Sequence, residues 1–290
     1  MSTIESAAAP RSAVSVQRRE TLRALVRSKT FLAGVAIVGF WALCAIFQAR
    51  FFQDPNALSN SEILKGPSGA HWFGTDKQGR DVFARVIAGA RDILEIAPAA
   101  TLLGTICGTA LGLVMGYFRG AVDDVLGRLV DAVLSLPVVI VALLAIVSVG
   151  ASKTTTILVV GFVFTPLIAR TVRSSVLSER ELEYVSAAKL RNERAPYILF
   201  VEILPNVLQP VIVEFTVRLG YAIFTVATRS FLGFGIPPPS SDWGVQVADH
   251  YIYLAGGYAW WPTLFPGLAI ASLVIGVSLL ADGVSQVLER

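Results

Sequence analysis

Along this chain long uncharged runs are separated by short charged stretches, and the apolar positions within the runs do not alternate. Such runs read as membrane helices, because a helix satisfies its own backbone in lipid and crosses with about 20 apolar residues. Six spans are predicted, over 30–49, 96–118, 132–152, 154–169, 207–230 and 262–281. The fourth is short, and Arg170 can snorkel to extend it. Within the second, Gly104, Gly108, Gly112 and Gly116 recur every fourth residue, a stripe that lets a neighbouring backbone approach closely. Leu136-Pro137 leads into the third span. Trp260 and Trp261 stand before the last as interfacial anchors.

The polar stretches differ in kind. Residues 1–29 carry Arg11, Arg18, Arg19, Arg23, Arg27 and Lys29, and read as a disordered arm with an amphipathic lead-in. No small-residue cleavage site follows the first apolar run, so that span is expected to be retained. Residues 50–95 read as polar and irregular, with turns at Asp54-Pro55-Asn56 and Gly66-Pro67-Ser68-Gly69. Residues 230–258 are rich in Gly, Pro and aromatics, and Pro237-Pro238-Pro239 bars one regular helix there. The insert at 179–206 is the long polar stretch of the back half. Leu182, Tyr184 and Val185 recur at helical spacing beside the small pair Ala187-Ala188. It reads either as a cytoplasmic helix offered to another protein or as an ordinary inter-helix loop. The chain thus divides into the arm 1–29, a first span with its polar segment 30–95, and a core 96–290.

Composition agrees with a membrane protein: 54% of residues are apolar and 16% charged, against about 25% charged in a soluble domain. The net charge of +3 is too small to suggest nucleic acid. Most Lys and Arg fall in the arm, the loops after the second and fourth spans, and the tail. This predicts that both termini and the 170–206 loop are cytoplasmic. Cys44 and Cys107 lie inside apolar runs and read as small hydrophobes. There is no phosphate-binding G-x-x-x-x-G-K motif, no nucleophile elbow, and no Cys beside His71 or His250. Neither a catalytic group nor a metal site is predicted, and the chain is expected to bind no cofactor itself.

The fifth span carries Glu214, Arg218 and Arg229, spaced four and eleven residues apart and so projecting from roughly one face. Charges within a membrane usually face a bundle interior or a watery cavity. These three either line a polar translocation path or form a buried ion pair plus an Arg snorkelling to the surface.

Several ordered blocks resemble the second permease subunit of dipeptide and oligopeptide ABC importers. They are Phe73-Gly74-Thr75-Asp76 with Gly79-Arg80-Asp81 and Gly89-Ala90-Arg91, then Ser230 to Ile236 with Pro238-Pro239 and Trp243-Gly244. Trp260-Trp261 with Phe265-Pro266-Gly267 and the closing Asp282-Gly283 complete them. Glu183-Tyr184-Val185 with Ala187-Ala188, and Leu204-Pro205-Asn206, are similar to the cytoplasmic coupling loop of ABC importer permeases. Ser186 stands where that loop has Glu, and Asn192 where it has Gly. Asn tolerates the left-handed conformation, so a helix end is still expected at Asn192. Arg218 and Arg229 are not part of the family pattern.

The resemblance implies an all-α, ABC importer type I permease fold in a bacterial inner membrane. It implies a homologous second permease, two ATPase subunits using ATP and Mg, an extracytoplasmic solute-binding protein and a peptide substrate. A coupling helix over 181–194 would dock on an ATPase through Glu183, Tyr184, Ser186, Ala187, Ala188, Lys189 and Asn192. Nickel or glutathione are alternative solutes. A secondary transporter and a membrane scaffold are the alternatives of other classes.

Overall fold

The computed structural model describes residues 23–51, 54–237 and 239–288, so most of the basic arm lies outside the described residues. They form an all-helical bundle with one isolated Thr75–Asp81 bridge. Helices α1 (Lys29–Phe51), α2 (Val82–Phe118), α3 (Gly120–Leu134), α4 (Val138–Val149) and α5 (Lys153–Glu179) lead to the short α6 (Glu183–Leu190). The long α7 (Ala195–Phe234) follows, then α8 (Trp243–Ala255) and α9 (Trp261–Leu288). Five of these, α1, α2, α5, α7 and α9, are long and apolar enough to cross a membrane.

The last three spans are longer than predicted, reaching Glu179, starting at Ala195 and reaching Leu288, and two further boundaries change. Helix α2 begins at Val82 rather than 96, because Asp81 caps it by accepting a 2.8 Å hydrogen bond from the Ala84 N–H. The charges that made 82–95 look like loop are neutralised in place: Lys153 reaches Asp92 at 2.8 Å and Glu95 at 2.6 Å. The predicted third span, 132–152, is two elements. Pro137 disfavours a helical conformation at the residue before it, so α3 ends at Leu134 and α4 restarts at Val138 with 12 residues.

The most extensive packing is α2 on α5, and the glycine stripe makes it possible. A methyl group at Gly108 would lie 2.7 Å from Ile168 Cβ, and one at Gly112 2.7 Å from the Ala169 carbonyl oxygen. At Gly116 it would meet Val176 Cβ at 2.7 Å, and at Gly104 the Gly161 carbonyl at 2.9 Å. Larger residues at these positions would force the helices apart. Helix α9 packs on α1, α7 and α8, while α7 also packs on α2 and α5. Large apolar side chains such as Phe40, Ile46, Leu102, Ile106, Phe162 and Phe224 are left on the outside, as a protein solvated by lipid requires.

One end of the bundle is closed by the segments 54–81 and 230–261. Trp261 is buried there and donates from Nε1 to the Thr75 carbonyl at 3.0 Å, so of the predicted anchor pair only Trp260 remains exposed. At the other end the chain turns through α6.

Candidate functional site

Helix α6 sits between the last turn of α5 and the start of α7. Its inner face is apolar: Val185 and Ala188 are fully buried and join the hydrophobic core, which also contains Val176, Ile198 and Ile203. Glu183, Ser186, Ala187 and Leu190, at i, i+3, i+4 and i+7, are exposed. An eight-residue helix is marginal by itself, so its ends and flanks must hold it.

They do. Asn192 adopts φ 58°, its N–H donates to the Lys189 carbonyl at 3.0 Å, and the Glu193 N–H donates to the Ala188 carbonyl at 3.2 Å. This pair of bonds around a left-handed residue is a Schellman cap, with Asn in the place glycine usually takes. Pro196 then stands in the first turn of α7. Beneath α6, Tyr184 Oη donates to Glu179 Oε2 at 2.7 Å, and Asn206 Nδ2 donates to Tyr184 Oη at 3.2 Å. Burial, together with the Glu179 carboxylate, pushes the Tyr184 phenol up to about 12, so it stays a neutral donor. Arg191 bonds Glu202 at 3.1 Å across the turn, and Lys189 lies 5.8 Å from the Tyr117 ring centroid at the end of α2. Arg119, next along, pairs with Glu181 at 2.7 Å.

The seven coupling-loop residues picked from sequence therefore separate. Glu183, Ser186 and Ala187 face outward. Tyr184 braces the helix from beneath, Lys189 reaches back to α2 and Asn192 caps. Ala188 is a correction: it is buried within the chain and offers no surface to a partner. Sequence reasoning missed Leu190, which is 86% exposed on the same face. Its signal was the seven-residue spacing from Glu183.

Of the three charges in the fifth span, the structure brings two together. Arg218 Nε and Glu214 Oε1 are 2.6 Å apart, and the guanidinium also lies 5.6 Å from the Tyr221 ring centroid. Both side chains are half-buried, at the edge between the buried Val211 and Ala222 and the exposed Val217 and Tyr221 of α7. Arg229 is separate and buried. It donates to the Phe234 carbonyl and lies 3.4 Å from Ser230 Oγ, which in turn donates to Asp242 Oδ2 at 2.6 Å. Its bonds tie it into this turn, away from the Glu214–Arg218 pair, and of the two readings open for it the burial favours the structural one.

The sequence blocks at the opposite end form a closed buttress. Asp76 Oδ1 accepts from the Gln78 and Arg80 N–H groups at 2.8 and 3.0 Å, and its Oδ2 accepts from Arg80 Nε at 2.6 Å. Arg85 approaches the same carboxylate at 3.6 Å and donates to the Ser240 carbonyl at 2.8 Å. Trp243 Nε1 donates to the Val86 carbonyl at 2.7 Å, and Gln246 bridges the Arg85 and Ser241 carbonyls. Gly89 lets this contact form, since a methyl there would lie 2.3 Å from the Ser241 carbonyl oxygen. Asp242 caps α8 through the Gly244 and Val245 N–H groups, and burial pushes its carboxyl up despite the bond from Ser230. Among the described residues no cluster of His, Cys, Asp and Glu could hold a metal ion.

The family model for "Binding-protein-dependent transport system inner membrane component" matches residues 108–290, from mid α2 through both α6 and α9. The chain belongs to this family. As a permease it has full-length relatives. The dipeptide transport system permease protein of Alkalihalophilus pseudofirmus is 36% identical over 93% of this chain and 89% of its own length. The glutathione transport system permease protein of Pectobacterium atrosepticum is 32% identical over 91% of this chain and 86% of its own. Among solved structures, an inward-facing form of the MetNI methionine ABC transporter superposes with a TM-score of 0.58. It is 17% identical and the match covers 71% of this chain and 97% of that one, a likeness of fold. The permease is thus a multi-pass membrane component of a transport complex.

Proposed function

We propose that this permease forms half of the translocation pathway of an ATP-driven importer of di- and oligopeptides. It pairs with a homologous permease, receives substrate from an external binding protein, and is driven by two ATPase subunits, one of which docks on α6. What supports the substrate class is that relatives named for dipeptide and glutathione transport align over nearly all of this chain. What supports the coupling role is the exposed face of α6, small at Ala187 and Ser186, apolar at Leu190, and held rigid from beneath. This suits helix-in-groove docking, where a small residue allows close approach. In this reading α3 and α4 together make a sixth crossing, since α5 restarts at Lys153 beside Asp92 and Glu95 near the start of α2, and both termini and α6 are cytoplasmic, as the distribution of Lys and Arg favours. ATP and Mg act in the partner subunits, whose two nucleotide states supply the differential binding a switch needs.

The experiment is Ala187→Arg in the intact transporter. Membrane insertion and thermal stability are expected to be unchanged, while ATPase copurification and uptake of labelled dipeptide fall at least tenfold, about 1.4 kcal/mol of docking energy. Full-rate uptake by this variant would overturn the coupling assignment. Within the same proposal Glu214 and Arg218 are the charged groups near mid-span. They neutralise each other here and meet a zwitterionic peptide only when the pair parts. Replacing both by Ala removes a self-neutralising pair, so assembly is expected to survive while uptake drops. Unchanged uptake would remove them from the pathway.

A further inference from the structure

His71 lies between two carboxylates, one on each ring nitrogen. Its Nδ1 is 2.7 Å from Asp81 Oδ2 and its Nε2 is 3.0 Å from Glu62 Oε2. A neutral imidazole carries one N–H, so it can donate to only one of two acceptors, and its other nitrogen would set a lone pair against a carboxylate oxygen. Only the imidazolium satisfies both contacts. The three residues come from different places: Glu62 from a turn of 3-10 helix (Asn60–Glu62), His71 from the loop, and Asp81 from the N-cap of α2. The charged groups around the ring are Glu62, Asp81 and Lys65, whose Nζ lies 3.5 Å from the other Glu62 oxygen. None of these belongs to the α6 face or to the pair on α7.

We infer that His71 is a proton-binding site whose occupancy clasps the 60–73 segment onto the start of α2. With the proton bound, the imidazolium draws Glu62 and Asp81 together. Without it, the contact to Glu62 is the one released, because Glu62 is the more exposed carboxylate and Asp81 is also held by the Ala84 N–H. The direction of titration agrees. The hydrogen bond to Asp81 raises the His71 pKa, partial burial opposes it, and Glu62 adds to it. A raised folded pKa means the clasp is complete below the ordinary His value of about 6.5 and is lost as pH rises through the higher, folded value. The segment released carries Ile63 and Trp72 on its exposed side, so its order sets how that surface is presented.

The chain has two histidines, His71 and His250, which makes the test direct. His250 is buried and its pKa is lowered, by burial first, so the two titrate on opposite sides of the ordinary value. In the full-length transporter in nanodiscs, with histidine rings isotope-labelled, His71 resonances are expected to titrate above about 6.5. Hydrogen exchange in 60–73, corrected for intrinsic rates, is expected to quicken severalfold across the same interval. Glu62→Gln keeps the Asp81 cap and should shift the His71 midpoint downward. His71→Gln, which assigns the signal, should abolish the pH dependence of exchange in 60–73. A His71 midpoint at or below about 6.5, or an exchange profile that His71→Gln leaves unchanged, overturns the inference.

Discussion

Two polar regions interrupt this bundle, one at each end, and they use their polar groups in opposite ways. In the buttress, Asp76, Arg80, Arg85, Asp242, Trp243 and Gln246 spend their hydrogen bonds on this chain and are buried. At α6 the polar groups Tyr184, Arg191 and Asn206 brace a short helix from behind, while Glu183, Ser186, Ala187 and Leu190 remain outside. Both regions carry blocks that resemble ABC importer permeases. A recurring polar block can therefore be a structural lock or a presented surface, and burial tells which.

The largest expected effect comes from opening the lock. Asp76→Ala leaves Arg80 and Arg85 without their shared carboxylate in a buried site, which should cost about 3–5 kcal/mol. Its thermal unfolding in detergent should shift down sharply, or the protein should fail to accumulate. Next is Gly112→Leu, whose side chain meets the Ala169 carbonyl and Val172. Overpacking that helix pair should cost about 1–3 kcal/mol or more, read as a lower unfolding temperature with α6 coupling lost in proportion. At α6, Asn192→Val puts a branched residue at φ 58° and should cost about 1–2 kcal/mol. Asn192→Gly should change stability by no more than a few tenths of a kcal/mol.

The sharpest comparison lies between two adjacent alanines. Ala188→Arg forces a charge into a fully buried position and should destabilise the protein, whereas Ala187→Arg should alter stability by less than about 0.5 kcal/mol. Only the second isolates docking. Equal loss of stability in both would mean that α6 has no free outer face.

Much of the architecture was legible in the order of residues. The four glycines from Gly104 to Gly116 announced a close helix contact, though not that α5 makes it, because spacing by four puts small side chains on one stripe whatever else surrounds them. Asn192 announced its left-handed cap for a local reason of the same kind. Residues 82–95 were not legible: Arg85, Asp92 and Glu95 look like loop until Asp76, the Ser240 carbonyl and Lys153 are seen beside them. Trp261 read as an anchor, and nothing near it in sequence revealed the Thr75 carbonyl that buries it.

The order of residues alone carried the family resemblance, the membrane-spanning character and, through that resemblance, a short helix within 181–194, since these rest on runs, spacings and blocks contained within single segments. Only contacts between segments showed how the charges of 82–95 are neutralised, which of Ala187 and Ala188 is free, and that His71 bridges two carboxylates. The His71 bridge and the Arg85 lock join residues nine to more than a hundred and fifty positions apart. Pattern along a chain sets what a segment can form, but only contact between segments sets the solvation and partners of each polar group.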